Sequence, residues 1–331
     1  MNAIETINLT KRFNSLTAVN NVNISVKEGE VFGLLGPNGA GKTTTLSMLC
    51  TILKPTSGTA LVNGFDVVKN PDDVRRSIGI VFQDPSLDNR LTGMDNLRIH
   101  AALYGMPDDT AIDRIERLVS LVGLEDRMQH LVKTYSGGMR RRLEIARGLV
   151  HTPKVLFLDE PTLGLDPQTR AKVWEYISNI AKSEKITVIL TTHYMEEAEQ
   201  LCERIAIIDY GKIVALDTPH ELTRKIGNEV ITLKLVNTSQ ADAFKKLDYV
   251  SGMKIGENGD VSLSVHDGAE AIPKIMNFAL ENNIKVTGVE IQKVTLNEVF
   301  MHYVGREIRD EAEKDGRLQT LRYQLRARGR I

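Results

Sequence analysis

The chain has 331 residues, more than one ordinary domain holds, so two domains or one domain with large insertions is the expectation. Lys and Arg number 42 against 43 Asp and Glu, which excludes a nucleic-acid binder held by bulk charge and makes any basic surface local. The two cysteines, Cys50 and Cys202, each lie in an apolar helix-like stretch and read as buried free thiols, not as a disulfide or a metal site. Met1–Glu5 lacks a charged or apolar leader region, and no apolar run approaches bilayer length, so a membrane role is expected to need a partner.

Residues 3–27 alternate apolar and polar positions through Ile7, Leu9, Val22, Ile24 and Val26, which predicts an antiparallel sheet layer. Phe13 falls in a turn between these strands, where it is either a packing residue or a face on which adenine stacks. Val31–Leu35 reads as a fully buried strand and Thr45–Cys50 as the first turns of a helix. Between them runs Gly36-Pro37-Asn38-Gly39-Ala40-Gly41-Lys42-Thr43-Thr44. The glycines permit the backbone angles and close approach that let successive N–H groups turn toward phosphate oxygens at a helix start. Lys42 would then reach the β and γ phosphates, and the Thr43 hydroxyl would ligate Mg²⁺.

Ile78–Phe82 is a further apolar strand, ending at Gln83. That amide is either a plain strand terminator or a group pointing into the ligand crevice of an α/β sheet. From Asp84 to Thr134 the pattern turns helical, with a Thr92–Asp95 capping box and Ile112, Ile115, Val119 and Val122 at helical spacing. Strands resume at Lys154, so this block, about residues 84–150, is an inserted subdomain. Tyr135-Ser136-Gly137-Gly138-Met139 opens another helix and makes a second anion-directed helix start. Arg140, Arg141 and Arg142 after it read first as a solvated face, with contact to a partner or nucleotide as the alternative.

Val155–Leu158 is an apolar strand closed by Asp159 and Glu160. The first acid can hold Mg²⁺ and the second can face a water aimed at the γ-phosphate, although adjacent acids at a loop are also commonly just solvated. Asp166 lies in a tight loop before a helix at 168–184. Ile186–Leu190 is the next buried strand, and it leads to His193, either structural or a hydrogen-bond donor to a γ-phosphate oxygen.

In order and spacing these motifs resemble those of the ATP-binding-cassette (ABC) ATPases across roughly residues 3–220. Phe13 matches the adenine-stacking aromatic, Gly36 to Thr44 the Walker A loop, Gln83 the Q-loop and Ser136-Gly137-Gly138 the signature. Asp159-Glu160 matches the end of Walker B, Asp166 the D-loop and His193 the switch histidine. Tyr135 and Met139 depart from the commonest signature, which has leucine and glutamine there. The departures resemble the daunorubicin-type drug-resistance exporter branch.

The resemblance implies an α/β fold with a RecA-like P-loop NTPase core, an antiparallel β subdomain and the inserted helical subdomain. It implies ATP and Mg²⁺ as ligands, the cation organised by Thr43, Gln83 and Asp159. Two cassettes would meet head to tail, so that Ser136 and Gly138 of one complete the site built on Lys42 of the other. A separate permease would be the membrane partner, placing the chain on the cytoplasmic face of the membrane, with no nucleic acid expected. A cassette ATPase acting on ribosomes or DNA stays open as an alternative, as does an importer subunit.

After Pro219 the motifs stop. Strands with Ile231, Leu233 and Leu235, with Val261, Leu263 and Val265, and with Val289 and Ile291 enclose two helices, and with a weak strand at Val250–Ile255 the order is β-α-β-β-α-β. That order predicts a ferredoxin-like α+β domain over 221–305. Ser239 with Asp242 is expected to cap its first helix, and Val294–Phe300 resembles the end of the accessory domain found in the same exporter branch. The tail, 306–331, is highly charged. It reads as disorder or as a basic helix with Leu318, Leu321 and Leu325 on one stripe.

Overall fold

The computed structural model describes residues 1–226, 229–256, 260–292 and 295–304. They form two compact units, one spanning Met1–Pro219 and the other opening at His220. The expectations for the 306–331 tail and for Val294 lie outside the described residues, as does the side chain of Ser239.

The first unit starts with β1 (Asn2–Phe13), β2 (Leu16–Val22) and β3 (Ser25–Lys27), the antiparallel layer that the alternation predicts. Next come β4 (Val31–Leu35), α1 (Lys42–Leu49), β5 (Ser57–Val62) and β6 (Phe65–Asp66), with β5 returning antiparallel to β1. The inward residues of this sheet, Ile4, Leu9, Val22 and Val62, share one apolar core with Leu46 and Leu49 of α1 and with Phe32 and Phe157 of the second sheet. Helix α1 is therefore held by apolar contacts, because eight residues are too few for a helix to persist alone in water.

Helix α2 (Pro71–Ser77) leads into β7 (Ile78–Val81), and the inserted block supplies α3 (Gly93–Leu103), α4 (Asp108–Val122) and α5 (Gly137–Leu149). The capping box is present: Asp95 N–H donates to Thr92 Oγ1 at 3.1 Å, and Thr92 N–H donates to Asp95 Oδ2 at 3.2 Å. Ile115, Val119 and Val122 are buried, while Ile112 stands at the edge of that face. Then follow β8 (Val155–Asp159), α6 (Pro167–Glu184), β9 (Thr187–Thr192), α7 (Met195–Leu201), β10 (Arg204–Asp209) and β11 (Lys212–Asp217).

The second sheet runs β11-β10-β4-β9-β8-β7, parallel except for β11. Strands β4, β8 and β9 are buried at every position, as continuous apolar runs between covering layers should be. Their C-terminal ends are in register: Leu35 pairs with Thr192, and Asp159 with Thr191. The loops after Leu35, Asp159 and Thr192 thus leave one edge of the sheet side by side, where α/β folds bind ligands. Strands β10 and β11 were not anticipated by the sequence reading, although Ile205–Ile208 followed by Asp-Tyr-Gly-Lys carries a hairpin signal.

Helix α8 (Pro219–Ile226) follows β11. In the second unit, β12 (Glu229–Leu235), β13 (Val250–Ile255), β14 (Val261–Val265) and β15 (Val286–Gln292) make an antiparallel sheet of order β13-β14-β12-β15. This is the ferredoxin-like arrangement. Helix α9 (Gly268–Glu281) buries Ala271, Ile275 and Ala279 into a core with Ile231, Leu233 and Leu263. The expected first helix is instead a 3₁₀ segment, Thr238–Lys246. Its fully buried anchors, Ala241 and Phe244, are three residues apart, which suits a period of three. Helix α10 (Leu296–Val304) ends the described chain.

Candidate active site

Gly36 to Gly41 form the loop from β4 into α1, and Asn38 and Gly39 are its exposed tip. Gly41 is the N-cap of α1 with φ +106°, and a Cβ there would stand 2.5 Å from the Ala18 carbonyl oxygen, so only glycine fits. The turn carries Lys42 into the protein at 4% exposure. Its Nζ donates to the carbonyl oxygens of Gly36 at 2.9 Å and Pro37 at 3.2 Å, and it lies 3.2 Å from Glu160 Oε1. Thr43 Oγ1 donates to Asp159 Oδ1 at 3.2 Å. Thr44 is half-buried in the same turn.

Asp159 ends β8, and Thr191 of β9 donates to its Oδ1 at 2.5 Å. Burial raises the Asp159 carboxyl above the ordinary range, and the Thr191 and Thr43 hydroxyls only partly offset that. Glu160 behaves oppositely. Burial alone would raise it, but His193 and Lys42 outweigh burial and hold it below the usual carboxylate range. His193 Nδ1 is 3.1 Å from Glu160 Oε2, within ion-pair range but not aligned as a hydrogen bond. Glu160 has φ +46°, the left-handed region, which is a strained conformation for a glutamate. Its N–H donates to both the carbonyl and the hydroxyl oxygen of Thr191, at 3.1 and 3.0 Å, which fixes it there.

Lys42, Thr43, Asp159, Glu160 and His193 thus converge within one chain, and the other predicted site residues stand apart from that cluster. Phe13 ends β1 with its ring 43% exposed and Lys11 Nζ 5.2 Å from the ring centre. Gln83 is exposed in the loop after β7, which ends at Val81, so the strand stops short of the predicted Phe82. Among the described residues no hydrogen bond joins Gln83 to Thr43 or Asp159. Ser136 is the exposed N-cap of α5, its Oγ accepting from Met139 N–H at 3.3 Å, and Gly137 beside it is also exposed. Gly138 is buried against the Thr169 methyl of α6. Asp166 caps α6, accepting from Thr169 N–H at 3.0 Å and from Thr169 Oγ1 at 2.6 Å.

The arginine run is not a solvated face. Arg141 is 7% exposed and donates to the carbonyl oxygens of Phe82 at 2.6 Å, Pro161 at 2.7 Å and Asp159 at 2.9 Å, and to Glu144 Oε2 at 3.1 Å. One guanidinium therefore ties the signature helix to the ends of β7 and β8. Arg142 donates to the Val122 carbonyl at 2.7 Å and to the Tyr176 hydroxyl at 3.1 Å, and Arg140 Nε donates to the Tyr135 carbonyl at 3.2 Å. The helical phase held the signal: Gly138, Arg141, Ile145 and Gly148 recur at three and four residues on the buried face of α5. Thr191 and Glu197 were also missed, since a lone hydroxyl and a lone acid carry no motif.

Comparison with known proteins decides what this site belongs to. Residues 19–163 match the model of the ABC transporter family, and residues 218–304 match that of the ATP-binding protein DrrA1-3-like C-terminal domain. The daunorubicin/doxorubicin resistance ATP-binding protein DrrA of Streptomyces peucetius is 40% identical over 95% of this chain and 96% of its own. The chain belongs to the ABC transporter ATPases. The Nod factor export ATP-binding protein I of Ralstonia nicotianae is 37% identical over 91% of this chain and 94% of its own. Among solved structures, a dimeric bacterial ABC transporter cassette matches with a TM-score of 0.59 at 28% identity, over 65% of this chain and 98% of that one. The same cassette is also known in a post-hydrolysis state with ADP and phosphate. As an ABC ATPase the chain binds and hydrolyses ATP.

A cation also fits the donor set. Thr43 Oγ1 and Asp159 Oδ1 offer adjacent oxygens, the hard ligands Mg²⁺ takes beside phosphates and water. Among the described residues no group of three or more His, Cys, Asp or Glu could hold a metal ion.

Proposed function

We propose that this chain is the ATP-hydrolysing subunit of an exporter, with Lys42, Thr43, Asp159, Glu160 and His193 as the groups that act on ATP. The observation that carries this reading is their convergence at the ends of three neighbouring strands. In the structure Lys42 pairs with the Glu160 carboxylate and donates to two loop carbonyls. Phosphates entering the loop would draw the ammonium to themselves and release Glu160 Oε1. The freed carboxylate, ionised at neutral pH, accepts a hydrogen bond from a water placed to attack the γ-phosphate. With Nδ1 turned toward Glu160, His193 keeps Nε2 to donate to a γ-phosphate oxygen. Thr43 and Asp159 hold Mg²⁺, which would offset phosphate charge, and Gln83 reaches them only if its exposed loop turns inward. Phe13 stacks adenine.

In this reading Ser136, Gly137, Gly138 and Asp166 act across a dimer, on the nucleotide bound at Lys42 of a second copy, which agrees with their exposure or their distance from the cluster within one chain. The dimeric state of a related cassette supports it. Residues 1–220 would be the cassette, 221–305 an accessory domain and 306–331 a charged tail. A separate permease would hold the chain at the cytoplasmic face of the membrane. No helix among the described residues is long and apolar enough to cross one. Export, rather than import, rests on relatives whose names specify drug resistance and Nod factor export.

Glu160→Gln tests the reading. Steady-state ATP turnover is expected to fall by about 10²- to 10⁴-fold, the usual worth of a general base, with ATP binding retained. Turnover at the parental rate would remove Glu160 from this role.

A further inference from the structure

We propose that Glu197 is a positioning residue that ties the loop carrying Glu160 to helix α6 through one carboxylate oxygen; the proposal rests on the reading of Glu160 as the group facing the attacking water. Glu197 lies in the first turn of α7, four residues after His193 in the chain, and is 1% exposed. Its Oε1 accepts two hydrogen bonds, from Thr162 Oγ1 at 2.7 Å and from Trp174 Nε1 at 2.9 Å. Thr162 is two residues beyond Glu160, and Trp174 is on α6, the helix capped by Asp166 and packed on Gly138 through Thr169.

Two observations favour a positioning role over simple core filling. First, Glu197 Oε2 is buried and makes no aligned hydrogen bond among the described residues, with only the Thr192 hydroxyl and the Arg170 charge acting on the carboxylate beside the two bonds to Oε1. A buried acid whose hydrogen bonds are incomplete is costly, and an apolar side chain of similar volume would fill the space without that cost. What the acid supplies is a fixed acceptor shared by a loop hydroxyl and an indole. Second, Glu160 sits in a left-handed backbone conformation that persists only where its surroundings over-determine it. Thr191 holds its N–H and Arg141 holds the carbonyl of Pro161, so the Thr162–Glu197 bond is the third anchor of the same short loop.

The test is ATP kinetics on the full chain with Thr162→Val, Glu197→Leu and Glu197→Gln. Thr162→Val removes only the hydroxyl and leaves the packing nearly unchanged, so it keeps the test open even if Glu197→Leu fails to fold. Thr162→Val and Glu197→Leu are each expected to lower kcat by about 10- to 100-fold, the effect of sub-ångström to one-ångström misplacement, with KM for ATP unchanged. Together they should lower it no further than either alone, because they cut one link. Glu197→Gln should recover most of kcat, since its amide oxygen accepts both bonds. The chain's single tryptophan, Trp174, reads the other arm: ATP should change its emission in the parental protein and not in Thr162→Val. Parental kcat in Thr162→Val, additive losses, an ATP-induced change in Trp174 emission in Thr162→Val as large as the parental one, or Glu197→Gln as impaired as Glu197→Leu would each overturn the proposal. Those results would leave the Glu160 reading standing, whereas parental turnover in Glu160→Gln would remove that reading itself.

Discussion

Lys42 and Glu160 are both almost fully buried and 3.2 Å apart, so each supplies the other's counter-charge beside the loop. Arg141 is the residue on which the arrangement most depends structurally. It satisfies three main-chain carbonyls and Glu144 Oε2, and a shorter apolar side chain would take that donor from all four, leaving Glu144 only the Ser86 N–H. Arg141→Met is expected to lower unfolding free energy by about 3–5 kcal/mol, the cost of leaving one member of a buried charge pair alone, and chemical denaturation would measure it. Glu197 makes a pH prediction. Burial raises its carboxyl, with neighbouring hydroxyls, the indole and the Arg170 charge only partly opposing the rise. For a group whose folded pKa is raised, stability is full below the unfolded value and declines as pH rises toward the folded one. Glu197→Gln should therefore match the parental melting temperature near pH 4 and exceed it increasingly above the ordinary glutamate range, up to pH 7. Melting curves that stay parallel across that window would show that Glu197 carries no such burden.

Helices α5 and α6 meet at one tight point, where Gly138 leaves no room for a Cβ against the Thr169 methyl. Gly138→Ala should force the two helices apart and cost about 1–3 kcal/mol. Adding Thr169→Ser removes that methyl but keeps the hydroxyl that Asp166 accepts from, so thermal melting of the double variant should recover most of the loss. Much of the fold at this scale was legible in the sequence. Strands β4, β8 and β9 are unbroken apolar runs because both sheet faces are covered, and the glycines before Lys42 mark a turn that few other residues could make. The cap on α3 was readable from Thr92 and Asp95. What was not legible depends on direction rather than on composition. Three adjacent arginines look like surface charge until the phase of α5 shows that the middle one points inward. Gln83 had a motif position but no local signal of whether its side chain would face the cluster. Nor did the sequence distinguish the 3₁₀ segment from an α-helix, because Ala241 and Phe244 are too few anchors to fix a period.

The molecule as a whole carries in one chain two sets of groups that do not meet there. Lys42, Thr43, Asp159, Glu160 and His193 form one set, while Ser136, Gly137 and Asp166 are exposed and, among the described residues, the Ser136 and Asp166 side chains bond only within their own helices. A cassette complete in itself would have no use for that separation; a head-to-tail pair brings each set to the other. The second unit, with its own apolar core of Ile231, Leu263 and Ile275, adds no comparable cluster of chemistry-bearing side chains among the described residues. The most direct measurement is the mass in solution of Glu160→Gln by light scattering, with saturating ATP and with ADP. Two chains with ATP and one with ADP is the expected result, and Ser136→Arg should keep the ATP form at one chain. A single chain at saturating ATP, with the nucleotide bound, would contradict the shared site.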